Sequence, residues 1–241
     1  MIQWLRSFIY IVQSYTMMLV MGIVFAPYAL ATPNGARAAC KTWARWAIWT
    51  ARWMVGLKAE VRGEVPQGEV LIAAKHQSFF DILLIFVALP SAKFIMKREL
   101  LWTPIIGMYA KRLGCVPVDR GKRGAAIQQM LDDVESGKSS AGQLCIYPQG
   151  TRVAPGDHKP YKAGTAALYE QLGQDCVPVA ANVGLFWPRK GIMRKPGLCT
   201  VEFLAPIAPG LNKDAFLKTL EDIVETRSNA LMKEVGFDAK G

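Results

Sequence analysis

Only two histidines, His76 and His158, occur among the 241 residues, and His158 lies in the polar loop 154–160. A metal cluster built on histidine is thereby all but excluded. The five cysteines (Cys40, Cys115, Cys145, Cys176 and Cys199) are odd in number, scattered and never closely paired. That pattern argues against a disulfide framework and a zinc site, and fits a reduced cytosolic compartment. Cys115, Cys145 and Cys199 fall in apolar runs, where a buried free thiol is the expected role. No Gly-x-Ser-x-Gly elbow is present and no cysteine adjoins His76, so neither common route to an acyl-enzyme is offered. Internal repeats and low-complexity segments are absent as well. Charge is missing altogether from Ser7 to Ala36.

What is present is apolar and basic. Hydrophobic residues make up 51% of the chain, enough for a full core without metal or disulfide. The 29 Lys and Arg outnumber the 19 Asp and Glu, for a net charge of +10, which favours an anionic partner: nucleic acid, a membrane surface or a phosphorylated substrate. Residues 8–31 are almost continuously apolar, long enough to span a bilayer or lie deep in one leaflet. A signal-peptidase site could be read at Ala29-Leu30-Ala31, but the run is too long for an ordinary signal peptide. Pro27 is expected to end or kink this helix. After the turn 32–35 a second helix is expected over 36–56. Arg37, Lys41, Arg45 and Arg52 share one sector of it, and Trp43, Trp46, Trp49 and Trp53 occupy adjoining and opposite ones. Indoles at a headgroup boundary and basic residues against lipid phosphates make this a membrane-docking segment; the alternative is a core helix that packs its tryptophans on the domain. The basic residues flanking the arm place its C-terminal side at the cytoplasmic face of the inner membrane. Residues 1–56 are therefore the expected membrane-anchoring helices and 57–241 the expected catalytic domain.

From residue 57 strand and helix signals alternate. Strands are expected at 58–62, 70–74, 93–96, 115–118, 143–147, 177–182 and 199–204. Helices are expected at 79–88, 104–113, 124–136, 164–172 and 214–235. The fold class that follows is α/β: a layered mixed, largely parallel sheet flanked by helices, preceded by the two-helix membrane segment.

The stretch 70–81 organises the rest. An apolar strand-length run stops at His76, Ser78 stands where a helix N-cap belongs, and Phe79, Ile82, Leu83 and Phe86 recur with helical spacing. Ligands of open α/β sheets bind at such junctions. Asp81, in an early helical turn, can reach back to one imidazole nitrogen and fix the tautomer. Three further stretches carry chemistry. Lys97 and Arg120 close two strand candidates and fall on the His76 side of the sheet if those strands are neighbours. Arg120 precedes Gly121 at a helix start, a place suited to a phosphate. Gln149, Gly150, Thr151 and Arg152 form a turn after a buried strand, with Arg152 a second forked donor. Val177-Pro178-Val179-Ala180 reads on its own as core strand.

Taken in order, His76-x4-Asp81, Gly114…Asp119-Arg120, Tyr147-Pro148-Gln149-Gly150-Thr151-Arg152 and Val177-Pro178-Val179-Ala180 resemble the four blocks of the glycerolipid acyltransferase family, closest to the bacterial lysophosphatidate acyltransferases. The likeness covers roughly residues 57–206. It implies that His76 is a general base oriented by Asp81, that Arg120 and Arg152 contact a phosphate, and that Val177 and Pro178 lie near the acyl chain. It also implies a lysolipid acceptor, an acyl thioester on acyl carrier protein or coenzyme A as donor, a phospholipid surface as partner, no nucleic acid, and no cofactor or metal. One departure stands out: the family usually has Phe-Pro-Glu-Gly-Thr-Arg, where this chain has Tyr147 and Gln149. Glutamine keeps length and hydrogen bonding but carries no charge, which leaves room for another acceptor such as a lyso-aminolipid. A lipid hydrolase using the same base on water, or a non-catalytic membrane-binding module, is the alternative from another class.

Overall fold

The computed structural model describes residues 1–118, 128 and 142–237. Arg120 and, apart from residue 128, the helix expected over 124–136 lie outside the described residues. Two long helices, α1 (Ile2–Val24) and α3 (Pro33–Met54), form a hairpin joined by the short α2 (Ala26–Ala31). The break falls at Phe25, and Pro27 occupies the first turn of α2, where its missing N–H costs nothing. The second long helix starts three residues ahead of the expected 36, because Pro33 opens it and the Thr32 hydroxyl caps the Gly35 amide. Gly35 is required there: a Cβ would sit 2.2 Å from the Tyr28 carbonyl oxygen, so α2 can fold back only over a bare backbone.

The strands are β1 (Leu57–Arg62), β2 (Leu71–Ala74), β3 (Ala92–Lys97), β4 (Val116–Val118), β5 (Gln143–Ile146), β6 (Cys176–Ala181) and β7 (Gly197–Phe203). They form one sheet in the order β1-β7-β6-β2-β5-β3-β4. The run β6-β2-β5-β3-β4 is parallel, whereas β7 lies antiparallel to β6 and parallel to β1. Mixed, with a parallel middle, the sheet is the expected α/β architecture. Buried parallel strands read as unbroken apolar runs, and all four residues of β2 and all six of β6 are buried. Helices α4 (Phe80–Ala88), α5 (Ile106–Arg112), α6 (Ala163–Leu172) and α7 (Lys213–Glu234) complete the domain.

Two cores lie on opposite faces of the sheet. Against one face α3 and α4 pack Ala44, Ala47, Phe80 and Ile85 on Ile72, Val177 and Val179. Against the other, α6 and α7 pack Tyr169, Phe216 and Leu220 on Leu71, Ala73 and Leu144, with the Tyr169 and Phe216 rings stacked 3.8 Å apart. Helix α1 joins the first core through Tyr10, whose hydroxyl donates to the Ala47 carbonyl. Its two ends are tied down as well. Arg6 donates to the Trp53 and Met54 carbonyls at the end of α3, and Tyr109 of α5 donates to the Gly22 carbonyl.

The tryptophan and basic sectors of α3 divide differently from the membrane-docking expectation. Trp43 and Trp46 donate to the Ser14 carbonyl and to Gln13, so they pack α3 onto α1, as in a core helix. Trp49 and Trp53 are exposed. Lys41 donates to the Leu89 carbonyl just past α4, so part of the basic stripe faces the domain. The reason is geometric: α4 lies along that side of α3, and its C-terminal carbonyls attract a cation. Among the described residues α1 is the one helix long and apolar enough to cross a membrane, and Phe8, Ile9, Val12, Leu19, Val20, Ile23 and Val24 leave its outer face exposed.

Candidate active site

Helix α4 starts one residue later than expected, with Phe79 at its N-cap. Ser78 still accepts from the Phe80 amide through its hydroxyl, at 3.1 Å. Asp81, in the first turn, folds back over the loop that precedes the helix. Its Oδ2 accepts the Gln77 and Ser78 amides at 2.9 and 2.7 Å, and its Oδ1 meets His76 Nδ1 at 3.0 Å. A fully buried carboxylate is tolerable only when its lone pairs are taken up, and these three donors do so. With Asp81 accepting, Nδ1 carries the imidazole hydrogen and Nε2 keeps its lone pair. No described group bonds Nε2, and 14% of the His76 side chain reaches solvent. That is the geometry of a base open to an incoming proton donor.

The ring is held on its face too. Tyr147, at the end of β5, stacks on His76 with centroids 3.9 Å apart and planes 20° from parallel. Its hydroxyl is buried near Asp81 and makes no well-aligned hydrogen bond among the described residues. Burial raises the phenol far above its ordinary pKa, and the nearby Asp81 charge adds to the effect. On the backbone, the Val153 amide donates to the His76 carbonyl and the Lys75 amide to the Val179 carbonyl. The loop after β5 and strand β6 thus pin the segment that leaves β2 between them.

The turn after β5 closes through the Gly150 amide on the Tyr147 carbonyl, with Gly150 at φ 67°. A side chain there would be strained and would meet Lys162 Nζ at 2.6 Å. Thr151 and Arg152 follow, both half-buried. One Arg152 Nη donates to the Arg189 carbonyl at 3.4 Å and one Arg189 Nη returns to the Arg152 carbonyl at 3.2 Å. Arg189 escaped the sequence reading because it sits in a loop with no helical or strand period, but the Trp-Pro-Arg-Lys cluster at 187–190 was its visible signal. Two guanidinium-bearing loops, after β5 and after β6, thereby meet on the edge of the sheet where His76 leaves β2.

Other expected site residues fall elsewhere. Lys97 ends β3 on the same edge, but β5 separates β3 from β2, so the two strands are not neighbours; its side chain is exposed. Val177 and Pro178 pair with Ile72 and Ala73 inside the sheet and are buried core. Gln149 is turned inward, 1% exposed, with Nε2 3.1 Å from the Lys159 carbonyl and 3.4 Å from Glu225 Oε1. Lys75, Tyr161 and Glu225, which line this inner side, were missed because each reads from sequence as an ordinary surface or core residue.

Comparison with known proteins adds independent findings. The model of the Acyltransferase family matches residues 58–182, just over half of the chain. A 1-acyl-sn-glycerol-3-phosphate acyltransferase of Pseudomonas aeruginosa is 30% identical over 167 residues, which are 68% of this chain and 65% of that protein. The alpha form of the mouse enzyme of the same name is 28% identical over 198 residues, 79% of this chain and 69% of that one. In three dimensions the crystal structure of the 1-acyl-sn-glycerophosphate (LPA) acyltransferase PlsC from Thermotoga maritima superposes with a TM-score of 0.78. It covers 94% of this chain and 97% of its own at 18% identity, so it speaks for the fold alone.

Two substitutions separate the contributions at Asp81. Asp81→Ala removes the partner of three buried donors and should cost about 3 kcal/mol or more, read as a lower unfolding midpoint. Tyr147→Phe deletes a buried hydroxyl with no well-aligned partner among the described residues and should leave the midpoint unchanged or raise it.

Proposed function

Because the chain belongs to the acyltransferase family, we propose that it transfers a fatty acyl group from an acyl thioester to the free sn-2 hydroxyl of 1-acylglycerol-3-phosphate at a membrane surface, giving phosphatidate. The observation that carries this reading is the buried Asp81 bonded to His76 Nδ1, with Nε2 unblocked, at the β2–α4 junction. The acceptor hydroxyl approaches Nε2, which removes its proton as the oxygen attacks the thioester carbonyl. The tetrahedral intermediate collapses, the C–S bond breaks, and the leaving thiolate takes the proton back from the His76 imidazolium, so that a thiol departs and Nε2 is bare again. Asp81 keeps the ring in the correct tautomer and stabilises the imidazolium formed on the way. Tyr147 offers its π face to that transient cation.

Phosphate recognition falls to Arg152 and Arg189, whose charges neighbour each other and whose side chains each donate to the other's backbone carbonyl. A dianionic headgroup would relieve their repulsion and accept forked bonds. Arg120 joins them by resemblance. The exposed apolar face of α1, with Trp49 and Trp53 beside it, is the surface for the inner-membrane lipid from which a lysolipid would enter. Acyl carrier protein or coenzyme A would present the donor from the cytoplasmic side.

The test of the reaction incubates purified protein and its His76→Ala variant with lysophosphatidate, a lyso-aminolipid and thioesters of both carriers, and identifies products by mass spectrometry. Phosphatidate from the wild type, reduced about 10²–10⁴-fold in the variant, is expected. Free fatty acid with no new ester would mean a hydrolase, and product only from the aminolipid would mean a different acceptor.

The phosphate assignment has its own measurement. Arg152→Lys and Arg189→Lys keep charge but lose the fork. Each should raise KM for lysophosphatidate about tenfold, the size of one lost charge-assisted hydrogen bond. An acceptor without phosphate should be unaffected.

A further inference from the structure

The structure assigns to Glu225, on α7, the negative charge that the resemblance leads one to expect at position 149, held half-buried against a buried lysine, and makes it a positioning residue for the catalytic turn. This rests on the reading of His76 as the base, since what Glu225 positions is the segment on either side of it. Lys75, the residue before His76, has a side chain only 3% exposed. Its ammonium sits 2.7 and 2.6 Å from Oε1 and Oε2 of Glu225. The Tyr161 hydroxyl donates to the same Oε1 at 3.0 Å, and Gln149 Nε2 approaches it at 3.4 Å. One carboxylate therefore gathers the residue leading into His76, the turn that presents Arg152, and the residue two before α6. The backbone closes the same loop, with the Lys162 amide on the Pro148 carbonyl.

Charge arithmetic explains why position 149 is an amide. One buried ammonium, Lys75, is balanced by one carboxylate, Glu225. A second carboxylate at 149 would add an anion within hydrogen-bond reach of the first, where burial strengthens repulsion. Glutamine supplies length and a donor, and donates to Glu225 and to the Lys159 carbonyl. In this chain Gln149 and Glu225 form one complementary pair. The amide's own Oε1 is buried without a partner among the described residues; the titratable groups near the pair are Tyr161, Glu221 and Lys162. Burial holds Tyr161 neutral far past its ordinary pKa, with Glu225 adding to it and Glu221 contributing least. Glu221 is itself bonded to exposed His158, and Lys162 stands over Gly150 on the outer side of the turn.

A charge-exchange cycle tests this: Gln149→Glu, Glu225→Gln and the double variant, each followed by unfolding midpoint and by kcat between about pH 5 and pH 8. In Gln149→Glu the two carboxylates share a proton, so one folded-state pKa is raised above the unfolded value of about 4.3. The stability tied to that proton is present at low pH and lost as pH rises through the raised pKa. The midpoint should match wild type near pH 5 and fall progressively below it toward pH 8, and kcat should gain an alkaline loss absent from wild type. Glu225→Gln leaves the Lys75 ammonium without a counter-charge and should lower kcat about tenfold or more at every pH, as breaking a buried pair implies. The double variant restores one carboxylate to the Lys75 neighbourhood and should recover most of both losses. The proposal is overturned if Gln149→Glu shows a wild-type pH profile, or if the double variant is as impaired as the two singles combined. Because the midpoint is read without substrate, its outcome stands whichever lipid the wild type acylates. Loss of phosphatidate synthesis in the wild type itself would strike the functional reading and leave the charge exchange to be judged on stability.

Discussion

The buried carboxylate of Asp81 is the constraint on which the site depends. It lies in the first turn of α4, has no solvent to turn to, and takes up the Gln77 and Ser78 amides together with His76 Nδ1. Those bonds do three things at once. They tie the first turn of α4 to the loop before it, close the 76–78 turn, and decide which imidazole nitrogen is left bare. A local folding requirement and a catalytic requirement are met by the same three contacts, so the base cannot be loosened without also unfastening α4.

Everything around that carboxylate serves to bring distant segments to it. A parallel arrangement of β6, β2 and β5 sends their C-terminal ends to one edge of the sheet. His76 leaves the middle strand, Tyr147 and Arg152 leave one neighbour, and the loop with Arg189 follows the other. Helix α7 then underpins the site from the opposite side through Glu225, while α3 and α4 cover the first face and tie it to the α1 hairpin. The site is thus clamped between the Lys75–Glu225 ion pair and the buried Asp81 carboxylate, and its open side faces the edge where the two arginines meet.

Much of this was legible in the sequence, for physical reasons that can be named. Strand-length apolar runs ending at His76 and Tyr147 located β2 and β5, and the five-residue spacing from His76 to Asp81 is short enough for one turn to close. Continuous burial of β6 was visible in Cys176–Ala181 as an unbroken apolar run. The misses come from interactions that have no period. Ser78 looked like the N-cap, and its hydroxyl does accept the Phe80 amide, but the helix starts one residue later, with Phe79 at the cap position, while Asp81 holds the loop before it. Lys97 seemed close to His76 because adjacency in the chain suggests adjacency in the sheet, yet β5 enters between β2 and β3. Trp43 and Trp46 read as interfacial indoles, but their N–H groups find Ser14 and Gln13 across the hairpin. Glu225 stood one position beyond the core stripe of α7, formed by Phe216, Leu220 and Val224, and nothing in a helical pattern tells an outward glutamate from one that turns in to meet a lysine.

The central claim, that Asp81 fixes His76 with hydrogen on Nδ1 and a bare Nε2, is open to direct measurement by nitrogen-15 NMR of histidine-labelled protein. The chain has only two histidines, so His158→Gln leaves a single imidazole to observe. The account predicts a protonated Nδ1 and an unprotonated Nε2 for neutral His76 in the wild type, and the reversed tautomer in Asp81→Asn, where an amide N–H replaces the acceptor. A wild-type spectrum with the hydrogen on Nε2, or one that Asp81→Asn leaves unchanged, would contradict it.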